Sequence, residues 1–395
     1  MDYKRIYFVL LICCSIIAFN GKVRAQAHVD SLIEKGQYLS AYEYLSDQSD
    51  KTVDLVLKQA ELVMNHHWHS YMYRQFSFIN LREGEDLLTL REKEPYGDTP
   101  FRFAVDTVLL NLEESYPDDY RIKKALGDYY NRVFYDFGDR WGERSEILIE
   151  KSKKYYMEAY KSGVYDSKSL YALGYYQSLR ENYFEAQNWF LKSLQENPDN
   201  ALCNYSLAVT YLFDGLPRKG VSYSKRAYEL YPDSLSKSDA ARITGILLLK
   251  SNQLQEAKDY FVKADDLHEN YRPNQLYLLK ASVLLDDDSV AFETGYDILL
   301  ESPYSPDIPN ELNSLFLEEK KQNLLYEIYD RIILAYHDNG EVLGNIRFHY
   351  GKLLFKEGKK RKSKRMIKQA EQDFRLVFDE SHQVFDAIEQ TMEYF

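Results

Sequence analysis

The sequence predicts an all-α chain built as an array of helix pairs. Three observations carry this prediction. Between Ser167 and Ala264 one helix–turn–helix unit recurs. Leu173-Gly174, Ala186, Phe190 and Pro198 return in kind as Leu207-Ala208, Gly220, Ser224, Ala227 and Pro232, and again as Gly245, Ala257, Phe261 and Ala264. Pro198 and Pro232 lie 34 residues apart, within the range of helical repeat periods. The 395 residues hold only 17 glycines and 10 prolines, and helices need few of either. An array has no single core to outgrow, so this length fits one solenoid as well as two or three globular domains.

Composition narrows the class further. Hydrophobic content of 45% and charged content of 28% describe a folded chain. The 36 tyrosines suit half-buried faces between stacked helices, ring packed and hydroxyl wet; a ligand-stacking surface is the functional alternative.

Residues 1–25 form a leader. Lys4 and Arg5 precede an apolar run from Ile6 to Phe19, and Val23-Arg24-Ala25 places cleavage before Gln26. Four cations and one acid leave with it, so a formal charge of −12 becomes −15, which argues against nucleic-acid partners. Cys13 and Cys14 raise a lipid anchor, but Ile12 precedes Cys13 and the apolar run continues past it, which favours a soluble exported chain with no remaining span. Cys203 is then the single cysteine left, expected as a small buried hydrophobe with no disulfide.

Along residues 26–120 the pattern is helical but less regular. Leu32 and Ile33 close a short first helix. Gly36, Tyr38, Ala41, Tyr42 and Leu45 make a turn and a second. Residues 52–73 read as one continuing helix. Phe76, Phe78 and Ile79 alternate as a short extended piece. Glu83–Glu92 and Phe101–Glu114 read as helices around a break at Pro95, Gly97 and Pro100. Residues 121–303 carry the regular repeats, from Leu126-Gly127 onward, with an inserted loop from Phe137 to Gly142. Small residues at Gly174, Ala208 and Gly245 are expected to let the first helix of a unit approach its neighbour; Ala186, Gly220 and Ala257 do so within the pair. Residues 304–395 begin with a loop at Pro303, Pro306 and Pro309. A helical stretch over 310–337, a last unit around Tyr350-Gly351, and a capping helix from His382 to Phe395 follow.

The stretch resembles the tetratricopeptide repeat family, whose pattern is W-x2-L-G-x2-Y, A-x3-F, then P. Leu173-Gly174, Ala186, Phe190 and Pro198 match; Leu170 and Gln177 replace the Trp and Tyr. The resemblance implies a right-handed α-α superhelix with a concave groove lined by first helices. It places Tyr171, Tyr175, Tyr205, Phe213 and Arg242 in that groove, an aromatic, mildly basic surface for a peptide.

Other residues invite functional readings. Trp141 beside Arg140 on the inserted loop is a contact candidate, or a cap on neighbouring helix ends. On a continued helix His66 and His69 would share a face at i, i+3, two ligands of an incomplete metal site. Lys359-Lys360-Arg361-Lys362, Lys364 and Arg365 form a basic run that reads as a solvated face or a contact for an anionic partner or lipid surface. No phosphate-loop, nucleophile-elbow or dinucleotide spacing occurs, and nothing calls for a cofactor. The expectation is a non-enzymatic scaffold for a protein or peptide in the bacterial cell envelope, exported to the periplasm or exterior. A glycan- or nutrient-binding envelope protein is the alternative.

Overall fold

The computed structural model describes residues 26–49, 51–71, 74–93 and 101–395. The expected leader at residues 1–25, with Cys13 and Cys14, and the expected break at Pro95, Gly97 and Pro100 lie outside the described residues. The chain divides into two compact units, the first ending at Arg180 and the second beginning at Glu181.

In the first unit residues 26–34 form α1. α2 (Tyr38–Ser46), α3 (Val53–His66), α4 (Leu87–Lys93), α5 (Val105–Ser115), α6 (Tyr120–Phe137), α7 (Ser145–Lys161) and α8 (Ser167–Ser178) follow. α3 packs on both α5 and α6, and α5 packs on α6, the neighbour pattern of one helix pair followed by the next. The irregular segment is therefore an insertion between the two helices of a pair. It carries α4 and three short antiparallel strands, β1 (His69–Tyr71), β2 (Gln75–Ser77) and β3 (Phe101–Arg102). Phe76 pairs with Ser70 on one side and Phe101 on the other. Phe76 and Phe78 enter the core with Tyr42, Leu62 and Leu109, and the Phe78 ring stacks on Tyr42 at 4.6 Å.

Three sequence expectations change here. The helix expected over 52–73 ends at His66: His67 is extended, its Nδ1 lies 2.9 Å from the Val63 carbonyl oxygen, and Trp68 N–H donates to Ser77 at 2.7 Å. The helix expected from Glu83 starts at Leu87, where Asp86 accepts from the Thr89 N–H at 2.8 Å. The helix expected from Phe101 starts at Val105, because residues 101–102 pair with β2. Helical periodicity in short apolar segments cannot exclude strands whose partners lie elsewhere in the chain.

The second unit is a run of helices: α9 (Tyr183–Glu196), α10 (Ala201–Phe213), α11 (Pro217–Leu230), α12 (Ser234–Lys250), α13 (Leu254–Leu267), α14 (Arg272–Leu284), α15 (Asp288–Glu301), α16 (Asp307–Glu318), α17 (Gln322–Ala335), α18 (Gly340–Lys356), α19 (Lys360–Arg375) and α20 (Gln383–Met392). Pro198 and Pro232 fall just past α9 and α11, where the chain leaves the helix. Pro303 and Pro306 lie in the loop expected there, between α15 and α16, whereas Pro309 falls in the first turn of α16, where a missing N–H costs nothing. The stretch 310–337 is helical as expected, divided by a turn into α16 and α17.

Each pair turns by the same device. Gly215, Asn252, Asp286, Lys320 and Gly358 all have positive φ. The following N–H closes back five residues, as in Gln253 to Leu248 at 2.9 Å, Asp287 to Ser282 at 2.9 Å and Lys321 to Phe316 at 2.8 Å. This helix-ending motif satisfies carbonyls that would otherwise be orphaned. Gly36 with Gln37 to Leu32 at 2.8 Å does the same in the first unit.

Close approach between the helices of a pair depends on a missing side chain. A Cβ at Gly245 would stand 2.4 Å from Cε1 of Phe261, and one at Gly127 would stand 2.5 Å from Cδ1 of Tyr156. Gly245 thus serves contact within its own pair, α12 against α13, and not only the approach to a neighbouring unit. Phe261 is fully buried, a burial worth roughly 1.5–3 kcal/mol. Cys203 is fully buried, and burial pushes its thiol up to about 11.

Candidate functional site

The first unit carries an open, charged groove. Lys124, Asp128, Asn131 and Tyr135 follow i, i+4, i+7 and i+11 on α6 and so share one side of that helix. Lys168, Tyr171 and Tyr175 follow i, i+3 and i+7 on α8. With Lys58, Glu61 and Asn65 of α3, the polar part of these faces borders a groove of about 570 Å³. The tyrosines continue the surface past Asn131 and Lys168: Tyr135 lies 5.6 Å from Tyr175, and Tyr171 stacks on Tyr175 at 6.2 Å.

The groove floor is fixed by a network across three helices. Tyr156 of α7 donates to Oδ1 of Asp128 at 2.9 Å, and Lys124 reaches Oδ2 of Asp128 at 2.9 Å and Asp166 at 2.8 Å. Asp166 also caps α8, accepting from the Ser169 N–H at 2.8 Å in a reciprocal capping box. Beneath them the Tyr176 hydroxyl lies 2.6 Å from Oδ1 of Asn131 and 2.9 Å from Oγ of Ser152. That serine donates to the Gly127 carbonyl at 2.9 Å.

Electrostatics follow from this packing. Burial opposes the charge on Lys124, but Asp128 and Asp166 outweigh it and raise its pKa above the usual lysine range. For Asp166, burial works toward protonation, yet Lys124 and the Ser169 bonds win and lower its pKa. Asp128 goes the other way: burial outweighs Lys124 and raises its pKa. Burial, reinforced by the neighbouring Asp128 carboxylate, lifts the Tyr156 hydroxyl well above the ordinary tyrosine value.

The sequence-predicted residues distribute as follows. Tyr171 and Tyr175 lie together on the α8 face and gain Tyr135, 48% exposed, as a third ring. In the second unit Tyr205 and Arg242 also meet, through a residue that the sequence reading did not single out. The Tyr205 hydroxyl and the Arg242 guanidinium both donate to Asp239, and Tyr231 lies edge-on to Tyr205 at 6.2 Å. Burial, then Asp239, raises the Tyr205 pKa. Phe213 is not part of that cluster. It ends α10, about 12 Å further along the axis, 66% exposed and stacked on Tyr183 at 6.0 Å.

Trp141 follows a single 3-10 turn at Gly138–Arg140 and packs against Phe137 at 5.0 Å and Tyr129 at 6.2 Å. Its ring belongs to the edge of the core, the capping alternative raised from sequence. His66 and His69 do not share a helical face. His66 ends α3 and stacks on Tyr38 at 4.7 Å, and His69 begins β1. The i, i+3 premise fails because the helix stops between them. The groove residues Lys124, Asp128, Asn131, Tyr135, Tyr156, Asp166 and Lys168 escaped the sequence reading. Lys124 and Asp128 alone look like an ordinary surface pair on one helix; Tyr156 and Asp166 come from later elements. The usable signal was the capping box Asp166-x-x-Ser169, which fixes where α8 starts.

No family model and no curated protein matches this chain. Among solved structures it is similar to the apo form of RapI, at 12% identity over 89% of this chain and 97% of that one, with a TM-score of 0.47. It is similar to a tetratricopeptide repeat protein from Parabacteroides merdae, at 14% identity over 68% and 97%, with a TM-score of 0.42. A third is YrrB, described as a tetratricopeptide protein with an unusual peptide-binding site, at 15% identity over 48% and 95%, with a TM-score of 0.37.

Proposed function

We propose that this tetratricopeptide-like array of helix pairs is a non-enzymatic scaffold that binds a peptide segment of a partner protein in the cell envelope. One observation carries the reading. A fixed polar groove at Lys124, Asp128, Asn131 and Lys168 runs into three adjacent tyrosines at 135, 171 and 175. Amide and charged groups orient a backbone; rings supply contact area at low entropic cost. Among the described groove residues Asp128 and Asp166 pair with Lys124, and Lys58 pairs with Asp30 and Glu61, which favours binding over proton transfer. The leader pattern at residues 1–25 supports the envelope setting.

Peptide-library capture with the purified protein tests this. Tyr135→Ala/Tyr171→Ala/Tyr175→Ala should abolish capture while leaving the helical circular dichroism intact. Unchanged capture by that variant removes the groove assignment. Three neighbouring rings also suit a sugar face, so a glycan is the second reading. Glycan-array binding that the same variant loses, with no peptide bound, would establish it instead.

A further inference from the structure

The last pair of the second unit presents a surface that the groove reading does not use. α19 buries Ser363, Ile367, Ala370 and Phe374 against α18, with Ser363 Oγ donating to the Gly351 carbonyl at 2.7 Å. Its opposite side is cationic. Lys360, Arg361, Lys364, Arg365 and Lys368 are all exposed. Among the described residues none of the five forms a salt bridge, although Arg375 on the same helix pairs with Glu371 and Glu380, both at 2.9 Å. This concentration stands in a chain of net charge −12. The stripe ends on an apolar tip. Arg361, Arg365, Lys368, Gln372 and Leu376 follow i, i+4, i+7, i+11 and i+15, one side of the helix over about 22 Å. Leu376 is 81% exposed and Val377 beside it 48%.

We propose that the α19 face docks this protein on an anionic phospholipid surface, with the cations at the headgroups and Leu376 entering the interface. The partner is chosen by chemistry. The face is a helix side of exposed cations, and among the described residues 360–376 no exposed ring is present for stacking on a base. A fluid sheet of phosphates needs no shape match, whereas a protein hot spot does. A polybasic patch joined to an apolar insertion is the two-part signal that stable surface binding requires. The acidity of the remaining chain does not forbid it, because charges more than about 8 Å from the contact are screened at physiological salt.

Vesicle co-sedimentation of the full chain tests the proposal. Phosphatidylglycerol/phosphatidylethanolamine vesicles are compared with phosphatidylethanolamine/phosphatidylcholine vesicles. Binding should require the anionic lipid and disappear in high salt. Arg361→Gln/Lys364→Gln/Arg365→Gln/Lys368→Gln should weaken it by about tenfold or more. Leu376→Ser should weaken it by a smaller factor that salt does not alter. The apolar run at residues 6–19 is common to every variant, so differences between variants report on α19. Anionic-vesicle binding unchanged in the quadruple variant overturns the proposal. So does wild-type binding to polyglutamate with none to anionic vesicles, which would assign the face to an acidic protein.

Discussion

The hydroxyl of Tyr156 donates to Oδ1 of Asp128 at 2.9 Å, across from Lys124 on the other carboxylate oxygen. The bond joins α7 to α6 and holds a carboxylate in the groove floor. Tyr156 is 2% exposed, so its ring packs whether or not the hydroxyl is present. Tyr156→Phe should therefore lower stability by about 1.5–3 kcal/mol, the range for a hydrogen bond to a charged acceptor. It should also weaken peptide capture, since Asp128 loses its restraint. Urea unfolding reads the first effect and capture the second. A wild-type midpoint would show that the bond contributes nothing.

Asp166 serves as both the cap of α8 and a counter-ion of Lys124. The two roles separate by substitution. Asp166→Asn keeps an acceptor for the Ser169 N–H and removes the charge; Asp166→Ala removes both. Loss of the cap alone costs about 1 kcal/mol, so Ala should be less stable than Asn by about that amount in thermal unfolding. Equal stability of the two would mean that the capping box is not held in solution.

Gly245 leaves no room for a methyl group beside Phe261. Gly245→Ala should destabilise by about 1–3 kcal/mol through overpacking, despite alanine's better helix propensity. Phe261→Leu on its own should also destabilise, by leaving space. In the double variant the losses should fall short of additive, because the smaller side chain accepts the new methyl. Strict additivity in a thermal-unfolding cycle would contradict the contact.

His349 lies inside α18, 3% exposed, and burial assisted by the nearby Lys352 pushes it down to about 3. The fold holds this ring neutral. Above about pH 6.5 the unfolded chain is neutral there too, and the residue adds no pH dependence. As pH falls below that value the unfolded state takes up a proton that the folded state refuses, and stability is lost progressively toward pH 3. One such group contributes a slope of up to about 1.4 kcal/mol per pH unit. His67, pushed down to about 4 chiefly by burial with Arg91 adding to it, acts with the same sign. His349→Leu should flatten the decline measured between pH 6.5 and 5. An unchanged slope would mean that the ring already meets solvent.

Much of the architecture was legible in the sequence. Ala186, Phe190, Ala257 and Phe261, read as interior positions of the repeat, are fully buried. Pro198 and Pro232 lie beyond the helices they were expected to stop. The turn at Lys320 was not legible, because a lysine with positive φ looks like any helical lysine in a run rich in Leu and Ile. Of the small sheet the alternation at Phe76 and Phe78 marked β2, but its partners β1 and β3 come from segments read as helix.

For the candidate site, the sequence singled out Tyr171, Tyr175, Tyr205 and Arg242 through its tetratricopeptide resemblance. It could not supply Tyr135 to the first pair or Asp239 to the second, nor separate Trp141 as core from Trp141 as contact. What the sequence by itself determined is the helical repeat and the faces it creates, because both are periodic and local: side chains three and four residues apart meet on any helix. What only the tertiary structure decided is which faces meet. Tyr156 and Asp166 reach Asp128 and Lys124 through the packing of successive helices, and no local spacing encodes a contact between residues brought together from different helices.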